Sequence, residues 1–223
     1  MIDYGLRSQI PTQLHFSEKV LKMDFIKTYM NSVVISAESI DLSKVAACID
    51  ILTEIRQNSG RVFVLGMGGS AANASHMVND LRKICKIEAY APTDNVAEFS
   101  ASCNDEGLGS YFPRWLVTSN LNSNDAIFVL SVGGGSKELN VSMELVNAIE
   151  IAKLKNAKIL GIVGRDGGET LKSSKDVILV PTITPNLETP LVESFQVVIW
   201  HGIVFHPRLK QEPSKWESVV SSI

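Results

Sequence analysis

The chain has 223 residues, 45% of them hydrophobic, and sets 21 Lys and Arg against 24 Asp and Glu for a formal charge of −3. That length allows one large domain or two small ones around a sizeable core, and the pairing of high hydrophobicity with low net charge excludes disorder over most of it. A near-neutral balance also excludes a general nucleic-acid binder, which needs a basic surplus to neutralise phosphates, and leaves a small molecule as the expected ligand.

In chain order, Phe16 to Ile35 reads as a first helix, and Leu42, Val45, Ile49 and Leu52, three to four residues apart, as one face of a second that Gly60 stops. Beyond Gly60 come five short apolar runs, each bounded by Gly, Ser or Asp: Val62 to Leu65, Ile87 to Ala91, Ala126 to Leu130, Lys158 to Val163 and Val177 to Val180. Continuous hydrophobicity suits strands buried on both faces, and the helical segments between the runs suit right-handed parallel crossovers. The expected fold is α/β: a single doubly wound, mostly parallel five-stranded sheet flanked by helices, with an N-terminal helical extension. Residues 1–60 would form that extension, 61–210 the sheet domain and 211–223 a tail with one amphipathic turn around Trp216. Pro181 to Pro190 reads as a loop into a last helix, with Thr189 as its N-cap and Pro190 in its first turn.

Val197 to Phe205, the longest candidate span, is interrupted by His201 and falls well short of the ~18 residues that cross a bilayer, so no membrane association is expected. The first residues lack the basic and apolar regions of a secretory signal. Cys48, Cys85 and Cys103 are odd in number, widely spaced and without a Cys-x-x-Cys pair, as suits reduced thiols of a cytoplasmic protein.

Ligands of open parallel sheets bind outside the carboxyl ends of the strands. Three loops there are rich in glycine: Gly66-Met67-Gly68-Gly69-Ser70, Ser131-Val132-Gly133-Gly134-Gly135-Ser136 and Gly164-Arg165-Asp166-Gly167-Gly168. Glycine lets backbone approach a phosphate, helix N-termini aim N–H donors at it, and Ser hydroxyls add more. A single such loop is equally well a tight turn, but two Gly/Ser loops at equivalent points of one sheet favour a phosphate monoester. Gly66 to Ala71 also satisfies the loose dinucleotide pattern G-x-G-x-x-G/A, yet only Asp94 offers the required acid and the Ser131–Ser136 loop would be left without a role. A sugar phosphate is the better match.

His76 and Asp80 lie four apart and share a helix face beside that loop; a surface ion pair is the plain alternative. Glu193 and His201 flank an apolar stretch holding Trp200, where a lone His is often a satisfied core residue. Together these four can form a divalent metal site or an acid/base pair. Eight residues of helix separate Glu193 from His201 by about 12 Å of rise, so the two meet one ion only through a bent helix, a long reach or two subunits. A site at a subunit interface is expected.

The Gly66-x-Gly-Gly-Ser70 loop, His76, Asp80, Asn104-Asp105, the Ser131–Ser136 loop, Gly164-Arg-Asp-Gly-Gly168 and His201 together resemble a sugar isomerase (SIS) domain, flavodoxin-like in fold, and more closely the phosphoheptose isomerases. The resemblance spans nearly the whole chain. It implies a zinc-associated homotetramer, with sites at subunit interfaces, that converts sedoheptulose 7-phosphate to D-glycero-D-manno-heptose 7-phosphate through an enediol. It assigns Met67, Gly68, Gly69, Ser70, Asn104, Asp105, Ser131, Val132, Gly133 and Ser136 to the substrate, with Asp80 and Glu193 also reaching it. His76, Asp80, Glu193 and His201 would bind Zn2+, Asp80 doubling as general base and His201 as general acid. The family usually carries Glu at the place of Asp80, Gln at that of Glu193, and Ser-Thr-Ser-Gly-Asn-Ser in the second loop. A non-catalytic SIS protein that binds a sugar phosphate or a protein such as the replication initiator is the alternative; a dinucleotide enzyme is the third reading.

Overall fold

The computed structural model describes residues 18–182 and 184–215; Phe16, at the start of the first expected helix, and Trp216, in the expected tail, lie outside them. Five strands, β1 (Arg61–Gly66), β2 (Glu88–Tyr90), β3 (Ala126–Ser131), β4 (Lys158–Val163) and β5 (Val177–Leu179), form one sheet in the order β2-β1-β3-β4-β5. Every neighbouring pair is parallel, so the sheet is wholly rather than mostly parallel. The order reverses between β1 and β3, the switch point where doubly wound sheets open a crevice for ligands.

The central strands have no solvent face, which is why their sequences run apolar without alternation. Val62 and Val64 of β1, Ala126 and Phe128 of β3 and Leu160 and Ile162 of β4 enter one core, while Phe63, Leu65, Ile127, Val129 and Ile159 enter the other. Against the first lie α2 (Leu42–Gln57), α3 (Gly69–Lys83) and α8 (Glu188–Val204); against the second lie α5 (Leu108–Thr118) and α6 (Met143–Leu154). β2, at the sheet edge, buries only Ala89 between two exposed residues and is shorter than its apolar run suggests.

The remaining helices are α1 (Glu18–Glu38), α4 (Val96–Glu106) and α7 (Gly168–Ser173). α1 runs three residues past its expected end at Ile35. α2 is capped by Asp41, whose carboxylate accepts from the Ser43 N–H at 2.9 Å, and it ends at Gln57. Gly60 follows the end rather than making it: a Cβ there would overlap the Asn124 carbonyl. α8 starts at Glu188 after Leu187, one residue before the expected cap, so Thr189 and Pro190 are helical. Proline is tolerated there because the first-turn N–H groups have no intrahelical acceptor. Pro113 sits inside α5 and cannot donate to the Gly109 carbonyl one turn back; the Asn147 side chain of α6 donates to it instead, at 3.0 Å. Among the described residues no helix is long and apolar enough to cross a membrane.

Candidate functional site

The three glycine-rich loops meet at the carboxyl edge of β1, β3 and β4. In the first, a Cβ on Gly66 would overlap the Ser70 carbonyl, so only glycine lets β1 turn directly into α3. The second and third interlock. Gly164 N donates to Val132 O (3.1 Å), Glu169 N to Gly135 O (2.9 Å), and Thr170 N and Oγ1 both to Gly134 O (3.0 and 2.7 Å). The loop after β3 thus commits its carbonyls to the loop after β4. The N–H groups of Gly133 and Gly135 donate to no protein atom among the described residues.

These loops border a cavity of about 420 Å³, lined by Met67, Ser70, Ser131, Val132, Gly133, Ser136 and Glu193 of the expected substrate residues. The three serines share one hydrogen-bonding pattern. Ser70 Oγ accepts from Gln196 Nε2 (3.0 Å), Ser131 Oγ from Gly134 N (3.0 Å) and Ser136 Oγ from Leu139 N (3.1 Å). A hydroxyl whose oxygen is already accepting keeps its proton to donate, so three O–H groups and two backbone N–H groups border one space. That set of converging donors is what an anion requires. Gln196, fully buried, is the residue the sequence reading missed here. It also accepts from Asn73 Nδ2 at 2.8 Å and so fixes Ser70 by stapling α8 to α3. Its signal was its place three residues after Glu193, on the same face of one helix.

Gly68 takes φ +58° at the N-cap of α3, and the Glu193 carboxylate lies over Gly69, its Oε2 2.5 Å from where a Cβ would stand. Glu193 is therefore with the cavity and not with His201. Asn104 and Asp105 are exposed near the end of α4, bonded to each other at 2.9 Å, and do not line the cavity. Asp94, the acid of the dinucleotide reading, accepts from the Ser75 hydroxyl.

About two to three turns into α3, His76 and Asp80 meet His201, the donor atoms of the three all within 4.8 Å of one another. Asp80 is buried, and its Oδ2 lies 3.5 Å from His201 Nε2 and 3.9 Å from His76 Nε2; its Oδ1 accepts from Asn79 Nδ2 at 2.9 Å. α3 packs along α8, and that contact is what delivers His201. Trp200, wholly buried, stands at 3.8 Å and 4.7 Å, ring centre to ring centre, from His201 and His76. Partial burial lowers the His201 pKa below the usual imidazole value, with His76 adding to the shift and Asp80 opposing it, a direction that favours the uncharged ring whose nitrogen can bind a metal. Two imidazoles and one carboxylate around an open position form a donor set suited to a catalytic zinc ion, and the group can hold a metal.

Comparison with known proteins agrees with this geometry. The SIS-domain family model matches residues 27–164. Lincomycin biosynthesis protein LmbN of Streptomyces lincolnensis is 34% identical over 65% of this chain, which spans only 54% of that protein. A phosphoheptose isomerase of Geotalea daltonii is 30% identical over 86% of this chain and 91% of its own length. The structure of phosphoheptose isomerase GmhA from Neisseria gonorrhoeae superposes with a TM-score of 0.70 at 20% identity, covering 82% of this chain and 96% of that one, a likeness that speaks for the fold alone. With more than half of the chain matched by the family model and a relative covered almost from end to end, this chain belongs to the SIS-domain family.

Proposed function

We propose that the protein is an aldose–ketose isomerase acting on a seven-carbon sugar phosphate, sedoheptulose 7-phosphate, in the manner of the phosphoheptose isomerases it is similar to. The observation that carries this reading is the pairing of a cradle of converging hydroxyl and backbone N–H donors with a buried carboxylate and an imidazole 3.5 Å apart. His76 follows Ser70 by six residues on α3 and His201 follows Glu193 by eight on α8, an offset of about 9 to 12 Å along the helices. Six C–C bonds of ~1.5 Å, zigzag, plus a phosphoester link span roughly 10 Å. A sugar of that length, with its phosphate on Ser70, Ser131, Ser136 and the Gly133 and Gly135 N–H groups, carries its carbonyl end toward Asp80 and His201.

Asp80 then removes the proton from the carbon beside the carbonyl while His201 supplies one to the carbonyl oxygen. The resulting enediol takes the proton back from Asp80 at the neighbouring carbon while its other hydroxyl returns a proton to His201, which forms the new carbonyl and restores both groups. Each positioned group of this kind contributes 10²–10⁴-fold. Glu193 and Met67 hold the sugar hydroxyls and chain. His76, Asp80 and His201 would hold Zn2+, which when bound polarises the carbonyl as a Lewis acid.

Purified protein supplied with Zn2+ and sedoheptulose 7-phosphate is expected to form the heptose 7-phosphate by proton NMR, and Asp80→Asn and His201→Ala to lose at least about 10²-fold in kcat. Full activity in both variants overturns the catalytic assignment; binding without turnover in the metal-loaded protein makes it a sugar-phosphate sensor instead. Metal analysis gives an independent readout, with His76→Ala expected to lower bound zinc per chain.

A further inference from the structure

The geometry points to Arg165 as the cationic contact of the anion cradle: its guanidinium closes over a phosphate monoester dianion held by the Ser131–Ser136 loop. This rests on the sugar-phosphate reading above and names the group that selects for phosphate.

The charges of the cavity pose the problem. Its lining includes three carboxylates, Glu138, Asp166 and Glu193, against two cations, Arg165 and Lys172. Lys172 is already engaged by Glu169 at 3.0 Å. A dianion entering there meets a net negative wall unless a free cation stands beside it, because close charges interact strongly away from bulk water. Among the described residues Arg165 makes no ion pair and no side-chain hydrogen bond, although acids line the same cavity.

Its backbone explains the arrangement. Arg165 and Asp166 are the central residues of a turn closed by Gly167 N to Gly164 O at 2.9 Å. The turn rides on the cradle, through Gly164 N to Val132 O on one side and Glu169 N to Gly135 O on the other. Arg165 takes φ +53°, a left-handed conformation that strains an L residue and that glycine holds freely. From this turn Arg165 reaches back over the cradle: its Cδ lies 3.7 Å from where a Cβ of Gly133 would stand. The stem therefore lies along the cradle, with the guanidinium beyond it, and a planar fork matches phosphate oxygens in pairs.

The test is calorimetric titration of inorganic phosphate and of sedoheptulose 7-phosphate into the whole protein and its Arg165→Gln, Arg165→Lys and Arg165→Gly variants. Removing a charged hydrogen-bonding partner weakens binding by about 10- to 100-fold, so Arg165→Gln is expected to raise both dissociation constants by that factor. Lysine restores part of the loss, and the salt dependence of binding flattens in the glutamine variant. In turnover the loss falls on KM rather than kcat, since Arg165 touches the phosphate and not the reacting carbons. Arg165→Gly relieves the strain and is expected to raise the melting temperature while weakening phosphate binding, whereas a merely structural arginine would lower both. Unchanged affinity in Arg165→Gln, with the wild type binding normally, overturns the role of Arg165 and leaves the sugar-phosphate reading standing. A wild type that binds neither phosphate nor sugar phosphate overturns both.

Discussion

Two buried acids illustrate how a single carboxylate either ties elements together or strains them. Asp125, 1% exposed, precedes β3 and accepts from Arg61 N, Nε and Nη2 at 2.9, 3.2 and 2.7 Å and from Asn122 N and Nδ2, both at 3.0 Å. Removing it strands a partly buried guanidinium and two backbone N–H groups, so Asp125→Ala is expected to cost about 3–5 kcal/mol, read as a lower urea midpoint. Glu144, in the first turn of α6, is 4% exposed and has no such partners; burial raises its pKa against the opposing hydrogen bond to its own N–H. A folded pKa above the unfolded one means that the folded chain binds the proton more tightly. The contribution is therefore complete below the ordinary carboxyl range and is lost as pH rises through the raised folded value. Glu144→Gln carries no charge to desolvate: its urea midpoint should exceed that of the wild type at about pH 8, and the gap should close toward pH 4. A constant gap would mean that the charge is not what matters. The thiols follow the same logic, since burial pushes Cys85 up to about 12 and Cys48 higher still; Cys103, half-buried, is expected to be the first to react with a thiol reagent in the native protein.

At the scale of elements, the interlocked loops separate two glycines that look alike in sequence. Gly68 and Gly168 both have positive φ, +58° and +51°. A Cβ on Gly68 meets nothing within 4 Å, whereas one on Gly168 overlaps the carbonyls of Gly133 and Gly135. Gly68→Ala should therefore cost only the conformational penalty, about 1–3 kcal/mol. Gly168→Ala must also push the cradle away from β4, and should lose phosphate affinity as well as more stability in parallel calorimetric and denaturation measurements. Equal effects from the two would refute the interlock. This contrast also marks what a linear reading can reach. β1, β3 and β4 were legible because burial on both faces leaves no reason for a polar residue. The loops were legible because close backbone approach admits only glycine. Where an element is only half buried the signal weakens: β2 shrinks to Glu88–Tyr90, and α8 begins two residues early, at Glu188 rather than Pro190, because its first turn needs no particular cap. The pairing of Pro113 with Asn147 was invisible, since it joins a missing N–H on one helix to an amide on another.

Across the whole molecule, the local part of the candidate site was readable and the tertiary part was not. His76 and Asp80 share a face by helix geometry alone, and the eight-residue offset of His201 from Glu193 already sets those two about 12 Å apart along one helix. That His201 joins the pair, that Gln196 orders Ser70 and that Arg165 is left without an ion pair among the described residues all depend on how α3, α8 and the loop after β4 pack. The assembled particle is a further step, and we propose that it is a homotetramer with sites at subunit interfaces. α1 is held to its own chain through hydroxyls, Ser32 to Thr184 at 2.5 Å and Ser36 to the Pro181 carbonyl at 3.1 Å. Phe25, Ile26, Met30 and Val34 of the same helix remain 53–55% exposed. Val198, on α8 one turn before His201, is 60% exposed as well, and exposed apolar faces of this kind mark interaction surfaces. Burying a large aliphatic side chain is worth about 1.5–3 kcal/mol, so Met30→Lys with Val34→Lys removes several kcal/mol from each contact between copies. Sedimentation should show the wild type as a tetramer and the double variant as smaller species with unchanged helix content. With sites at subunit interfaces, and with the His76 and His201 side chains 54% and 40% exposed, the double variant should also lose turnover while its cradle still binds inorganic phosphate. A wild-type monomer, or a dissociated variant with full activity, would place the whole catalytic apparatus within one chain.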